Sequence, residues 1–272
     1  MMTLSCSPVR GLLIVGSLLV LPAIASAGFV TLSQTSDPKA DIILQSYHIG
    51  ERTYTNFVLV KKAKLLWQSP PDDVNGPISV DRGDNVVGLN KERPTDSEIA
   101  DNQRNLNLGL ILDTEEYGAF GLKLKFERAL TAPLRCHKDV PSVLIFERGQ
   151  NSDLTIQGLD ADGDPIGHVL HLVRGENQTS AGFSLDTTEI SHSQPVGFWE
   201  VHLSQLGVSS IHGLLITCEA EYHGPDFKVI GLEPGPCEAP EPTSVALGWL
   251  ALASLGLSRL QRLGRRWWGL RC

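Results

Sequence analysis

From Asp41 to Leu232 the chain repeats one device. A run of six to twelve residues rich in Val, Ile, Leu and Phe is followed by a break of Gly, Pro, Asp or Asn. The runs are "DIILQSYHI" (41–49), "NFVLVKKAKLLW" (56–67), "LNLGLILD" (106–113), "GAFGLKLKFE" (118–127), "SVLIFE" (142–147), "DLTIQGLD" (153–160), "PIGHVLHLV" (165–173), "GFWEVHL" (197–203), "IHGLLITCEAEY" (211–222) and "FKVIGL" (227–232). Within them Leu122, Leu124 and Phe126 alternate with Lys123, Lys125 and Glu127, the period-2 signature of a half-buried strand. Many short strands with turn residues between them predict an all-β fold, a single β-sandwich of jelly-roll-like form. One helix interrupts the pattern. "RPTDSEIADNQRN" places Thr95 three residues before Glu98, a capping box, and its polarity predicts a short surface helix. The stretch "SPPDDVNGPISVDRGDN" (69–85) is dense in Pro, Gly and Asp and reads as a loop.

The two ends are of another kind. Arg10 precedes "GLLIVGSLLVLPAIASA", an apolar run closing on small residues. This is the form of a secretory signal peptide over residues 1–27, cut between Ala27 and Gly28. The body is then 28–236. Residues 237–272 begin with "CEAPEPT", a stiff extended linker. An uncharged run from Thr243 to Leu257 follows, then Arg259, Arg262, Arg265 and Arg266. The run is shorter than the ~20 residues of an ordinary span, yet a short span inserts where the bilayer thins or its flanks snorkel. Arginines beyond it stay cytoplasmic, which leaves the body on the far side of the membrane.

Pro240, Glu241 and Pro242, then a short transmembrane helix, then the cluster Arg259, Arg262, Arg265 and Arg266, resemble the PEP-CTERM sorting signal of Gram-negative bacteria. The resemblance implies an exosortase as processing partner and an association with extracellular polysaccharide and biofilm. The continuation "WWGLRC" departs from the usual tail, which stops soon after the arginines. Inside the body, "VLIFERGQNSDLTIQGLDADGDPIG", "AGFSLDTTEI", "LSQLGVSSIHGLLI" and "HGPDFKVIG" resemble a family of exosortase-dependent surface proteins. That resemblance implies a surface location and carries no catalytic residue. It implies contact with the membrane only through the sorting tail, before release to the cell surface or matrix.

Charge agrees with this division. The formal net charge is −8. The leader holds one positive charge and the tail a net three, so the body carries −12. A body this acidic lacks the basic footprint that nucleic acid requires. It suits an exported protein with a structural, adhesive or polysaccharide-binding role. The alternative is an extracellular carbohydrate-active hydrolase, which needs a pair of carboxylates across a sugar. A flat sandwich face favours the first and a deep cleft with two carboxylates the second. Trp67, Tyr54 and Trp199 are the aromatic candidates for stacking on sugar rings, with Trp199 also suited to the core.

No catalytic motif is present. There is no H-E-x-x-H, no C-x-x-C pair and no G-x-S-x-G. In an oxidising compartment Cys136 and Cys218 are expected to pair, with Cys218–Cys237 the competing choice. "LDADGDPIG" places Asp160, Asp162 and Asp164 around Gly163. Two readings meet there: a weak calcium loop, and a hairpin whose Asp-Gly turn needs positive φ. No other cofactor is expected.

Overall fold

The computed structural model describes residues 28–33, 37–69, 78–189 and 192–237. Ala27, the Pro240-Glu241-Pro242 motif, the apolar run and its arginines lie outside them. Among the described residues no helix is long and apolar enough to cross a membrane.

The described residues are mostly β-strand, consistent with the all-β fold that the alternating runs predict. The strands are β1 (Phe29–Leu32), β2 (Leu44–Ile49), β3 (Arg52–Tyr54), β4 (Phe57–Val58), β5 (Val60–Gln68), β6 (Ile78–Arg82), β7 (Lys91–Glu92), β8 (Leu110–Thr114), β9 (Phe120–Thr131), β10 (Val143–Arg148), β11 (Leu154–Leu159), β12 (Pro165–Leu172), β13 (Gln178–Leu185), β14 (Gln194–Val201), β15 (Ser210–Cys218) and β16 (Asp226–Leu232). Among the described residues one α-helix, α1 (Asp96–Gln103), lies between β7 and β8. Three sheets result. One runs β12-β11-β15-β9-β5, a second β13-β14-β10-β16-β8-β6-β7, and a third β1-β2-β3. Strand pairing in all three is antiparallel.

The second sheet is central and is covered on both faces. Its inner face gives Val80, Leu112, Val143, Ile145, Phe227 and Val229 to a core shared with Leu122, Leu124, Ile156 and Ile216 of the first sheet. Its outer face gives Leu144, Phe146, Phe198 and Ile230 to a second core under Leu44, Tyr47 and Tyr54 of the third. Double burial explains why β10 and β16 are buried at every position and read as near-continuous apolar runs. At ~1.5–3 kcal/mol per fully buried large side chain, these two cores carry the fold.

The helix corrects its own expectation. Its capping box forms, with Thr95 Oγ1 accepting from Glu98 N and Glu98 accepting from Thr95 N. It is polar, yet Ile99, Ala100, Asn102 and Gln103 are buried. The reason lies in β16, which pairs with β8 at Phe227 and with β4 only from Gly231. Gln103 fills the gap. Its Oε1 accepts from Val229 N at 2.9 Å, and its Nε2 donates to Phe227 O at 3.4 Å. A side-chain amide thus replaces a missing strand neighbour, satisfying buried backbone groups that would otherwise be costly.

Beside it Lys228 is fully buried and donates through Nζ to Asn102 O, Asn105 Oδ1 and Leu110 O. Burial pushes its ammonium down from 10.5 to about 7. Above pH 7 the folded chain has released this proton, while the unfolded chain keeps it until about 10.5, so stability rises with pH in that window. Lys228→Met is expected to remove up to about 1.4 kcal/mol per pH unit of that upward slope. Urea denaturation at pH 7.5 and pH 9 measures it, and an unchanged slope refutes it.

The expected loop at 69–85 is also corrected. It contains β6, a buried strand of the central sheet with Ile78 and Val80 inward. Pro, Gly and Asp on either side hid five strand residues.

Candidate functional site

Two places gather side chains with chemistry. The first is the open face of the five-stranded sheet. Leu122, Leu124 and Phe126 point into the core, so Lys123 and Lys125 take the other side. The register with edge strand β5 is Lys62 opposite Lys125, Lys64 opposite Lys123, and Trp67 opposite Gly121. Directly paired residues share a face. Four lysines therefore stand in two facing pairs, with Trp67 beyond them. Trp67 lies over Gly121, where any Cβ would collide with its indole, and is 45 % exposed. Lys123 Nζ donates to Gly163 O at 2.6 Å and Lys125 Nζ to Ala161 O at 2.8 Å. Among the described residues no carboxylate forms an ion pair with any of the four lysines. The face continues through Leu215 and Gln157 and through Thr217 and Thr155, each in register. It is a polar sheet surface on an acidic body, bordered at Lys123 and Lys125 by the turn from Asp160 to Asp164.

The second place is a polar rung across the outer face of the central sheet. Ser79 pairs with Glu92 on one side and Asp113 on the other. Leu112 pairs with Phe227, which sets Asp113 beside Asp226, and Arg148 pairs with Asp226. Arg148, 1 % exposed, donates from Nε to Asp226 Oδ2 at 2.9 Å; its Nη2 forms an ion pair with the same oxygen at 2.7 Å without a hydrogen bond, and stands 3.8 Å from Asp113 Oδ1. Over this rung crosses the connection from β13 to β14. Thr187 bridges Gly83 and accepts from Arg148 Nη1. Thr188 donates through N to Arg82 O and through Oγ1 to Asp81 Oδ1 at 2.6 Å. Glu189, exposed as a residue, brings a carboxylate oxygen within 4.8 Å of oxygens of Asp113 and Asp81. Burial, then the charge of Asp226, holds Asp113 well above the usual carboxylate range. Burial, then contact with Asp113, pushes Glu189 up to about 9. The two carboxyls open on a cavity of about 300 Å³ whose rim carries Glu115 and Glu116.

The residues singled out in the sequence fare unevenly. Trp67 is exposed beside the lysines. Tyr54 is 6 % exposed, packed edge-on against His137 and bonded to its Nδ1, so it is no sugar platform. Trp199 is core, its Nε1 donating to Glu176 O. Asp160, Asp162 and Asp164 form a hairpin turn between β11 and β12. Asp160 Oδ1 accepts from Gly163 N and Asp164 N, and Gly163 takes φ 91°. Lysine ammoniums occupy two of the turn's carbonyls, and the three aspartates do not converge into a group able to hold a metal. The expected Cys136–Cys218 bridge is replaced by Cys136–Cys237, with Cα atoms 6.0 Å apart, and Cys218 is a buried free thiol. Cys218 lies inside the inner core, out of reach of the loop that carries Cys136. The bridge borders a cavity of about 1040 Å³ lined by Arg52, Arg135, His137, Lys138 and Glu200. Bridging removes both sulfurs from any metal set with His137.

Sequence reasoning missed Asp81, Asp113, Glu189 and the four lysines as groups. The lysine pairs had a signal, since the alternation at 122–127 already placed Lys123 and Lys125 outward. Compared with family models, curated proteins and solved structures, the chain matches none of them.

Proposed function

We propose that this is an exported surface protein whose jelly-roll-like body binds anionic polysaccharide of the extracellular matrix, after an exosortase has removed its sorting tail. The observation that carries the reading is the face of Lys62, Lys64, Lys123 and Lys125 with Trp67 at its edge. Like charges directly opposite one another across a strand pair repel, none of the four lysines holds an ion pair among the described residues, and a polyanion relieves that repulsion. The indole offers a flat apolar surface to a sugar ring. A sheet face rather than a cleft suits an extended chain of sugars.

Two further features support export. The Cys136–Cys237 bridge belongs to an oxidising compartment and ties the body to the chain just before Pro240. Gly28 N donates to Glu200 Oε1, which also accepts from Tyr47 Oη. Cleavage after Ala27 makes that nitrogen an ammonium and turns the contact into an ion pair.

Protein recovered from the surface of its host tests both parts. Its mass is expected to give an N-terminus at Gly28 and a C-terminus near Pro242. In affinity electrophoresis it is expected to be retarded by alginate, a polyuronate, and not by neutral dextran, with the retardation falling as salt rises. Trp67→Ala, and separately Lys62→Ser with Lys64→Ser, are each expected to weaken binding about tenfold. An intact Cys272 on exported protein defeats the sorting reading. Alginate binding that survives both variants unchanged defeats the assignment of this face.

A further inference from the structure

We propose that Asp81, Asp113 and Glu189 form a binding site for a hard divalent cation of the calcium class, separate from the lysine face. One carboxylate oxygen from each lies within 4.8 Å of the others. Oxygens that share a calcium ion at 2.3–2.6 Å can be no more than about 5 Å apart, so the three reach one ion together.

Proximity of acids alone proves little, since acidic groups crowd many surfaces. The buried atoms around them supply the second observation. Asp81 is fully buried; Oδ1 is held by Thr188 and Arg82 N, and Oδ2 has no hydrogen-bond partner. The hydroxyl of Ser79, 3 % exposed and directly paired with Asp113, has none either. Buried polar atoms left unpaired cost ~1–3 kcal/mol each. Ser79 and Asp81 alternate onto the face of the sheet that carries Asp113, and a cation with its waters would satisfy both unpaired oxygens.

Charge balance argues the same way. Arg148 is the fixed cation of the rung and is committed to Asp226 through two nitrogens. Its distance of 3.8 Å leaves Asp113 only partly compensated. Asp81 and Glu189 form no ion pair among the described residues. Three carboxylates thus converge without a matching positive charge.

The supports are rigid. Asp81 and Asp113 sit on paired strands β6 and β8. Glu189 is delivered by a segment pinned at Thr187 and Thr188. The all-oxygen set, with neither His nor Cys, disfavours zinc and copper. Strand-borne carboxylates beside an open, wet cavity suit calcium's irregular six-to-eight coordination better than magnesium's strict octahedron. Few protein ligands at an extracellular site imply a dissociation constant on the order of 10⁻⁴ M.

The test uses full-length protein stripped with chelator and titrated with calcium, magnesium and zinc chlorides by calorimetry and thermal melting. Wild type is expected to bind one calcium per chain. At 10 mM calcium the folding equilibrium shifts about 100-fold, read as a rise of about 5–10 °C in melting temperature. Glu189→Gln, an exposed position, is expected to melt as wild type does in chelator and to bind calcium at least tenfold more weakly. Asp162→Asn, in the hairpin turn, is expected to bind as wild type does. Absence of both heat and melting shift in wild type overturns the proposal. So does undiminished binding by Glu189→Gln, loss of binding in Asp162→Asn, or a response to zinc alone.

Discussion

Cys237→Ser is expected to lower the melting temperature of the oxidised protein by about 10–15 °C. Cys136 sits in the 3-10 turn Arg135–His137, and Cys237 follows the last strand by five residues. Their bond spans a separation of 101 residues that includes every strand from β10 to β16. Closing a loop of that length removes ~4.7 kcal/mol of entropy from the unfolded chain in the chain-entropy model. For a domain of this size each kcal/mol moves the midpoint by about 2–4 °C. Cys218 cannot take over the role. It is buried, its thiol donates to Gly118 O at 3.4 Å, and burial raises its pKa to about 12, which keeps it protonated and unreactive at neutral pH. Reduced wild type should therefore melt where the oxidised variant does. Scanning calorimetry with and without reductant measures this, alongside non-reducing peptide mapping. A variant melting within 3 °C of wild type, or a Cys136–Cys218 peptide, would show that the tie is elsewhere.

The bridge also marks how far the sequence could be read. Alternation at 122–126 gave the strand, its inward face and the outward lysines, because period-2 patterning is local. The capping box at Thr95 and Glu98 was equally local and formed. The fate of the helix's inner face was not, because Gln103 is needed only where β16 lacks a neighbour at Val229. That gap depends on β4 and β8 stopping short, which no local pattern records. The same holds for the carboxylates. Asp81 was hidden in a stretch whose Pro, Gly and Asp content reads as loop, and its tie to Thr188 spans 107 residues. Cysteine pairing failed for a related reason: three thiols offer several connectivities, and only the packing shows that Cys218 faces the core. A sandwich of two sheets was the simplest solution for ten apolar runs. The third sheet became necessary because β10 and β16 are apolar on both faces, a fact visible in "VLIF" and "VIGL" but open to several explanations.

Arg148→Met is expected to cost about 3–5 kcal/mol, the range seen when one partner of a buried ion pair is removed. Methionine nearly fills the arginine's volume, so the loss is one of charge and hydrogen bonds rather than of packing. Asp226, fully buried by its carboxyl, loses both the Nε and Nη2 contacts, and Asp113 loses the nearest positive charge. Thr187 loses the donor that holds its segment over the rung, so the segment that carries Glu189 is expected to loosen as well. Removing the stranded charge should recover much of the loss. Asp226→Asn in the Arg148→Met background is expected to be less damaging than the sum of the two single changes, with a coupling of ~1–3 kcal/mol. Urea denaturation of the four proteins at pH 7 gives the cycle. It is run in chelator, so that a cation at Asp81, Asp113 and Glu189 does not stand in for the missing guanidinium. A single-variant cost below 1 kcal/mol, or strict additivity, would mean that Arg148 is a spectator and that the carboxylates carry protons already. A restored stability on adding calcium to Arg148→Met would instead tie the rung's two sources of positive charge together, because each lowers the repulsion that the other leaves.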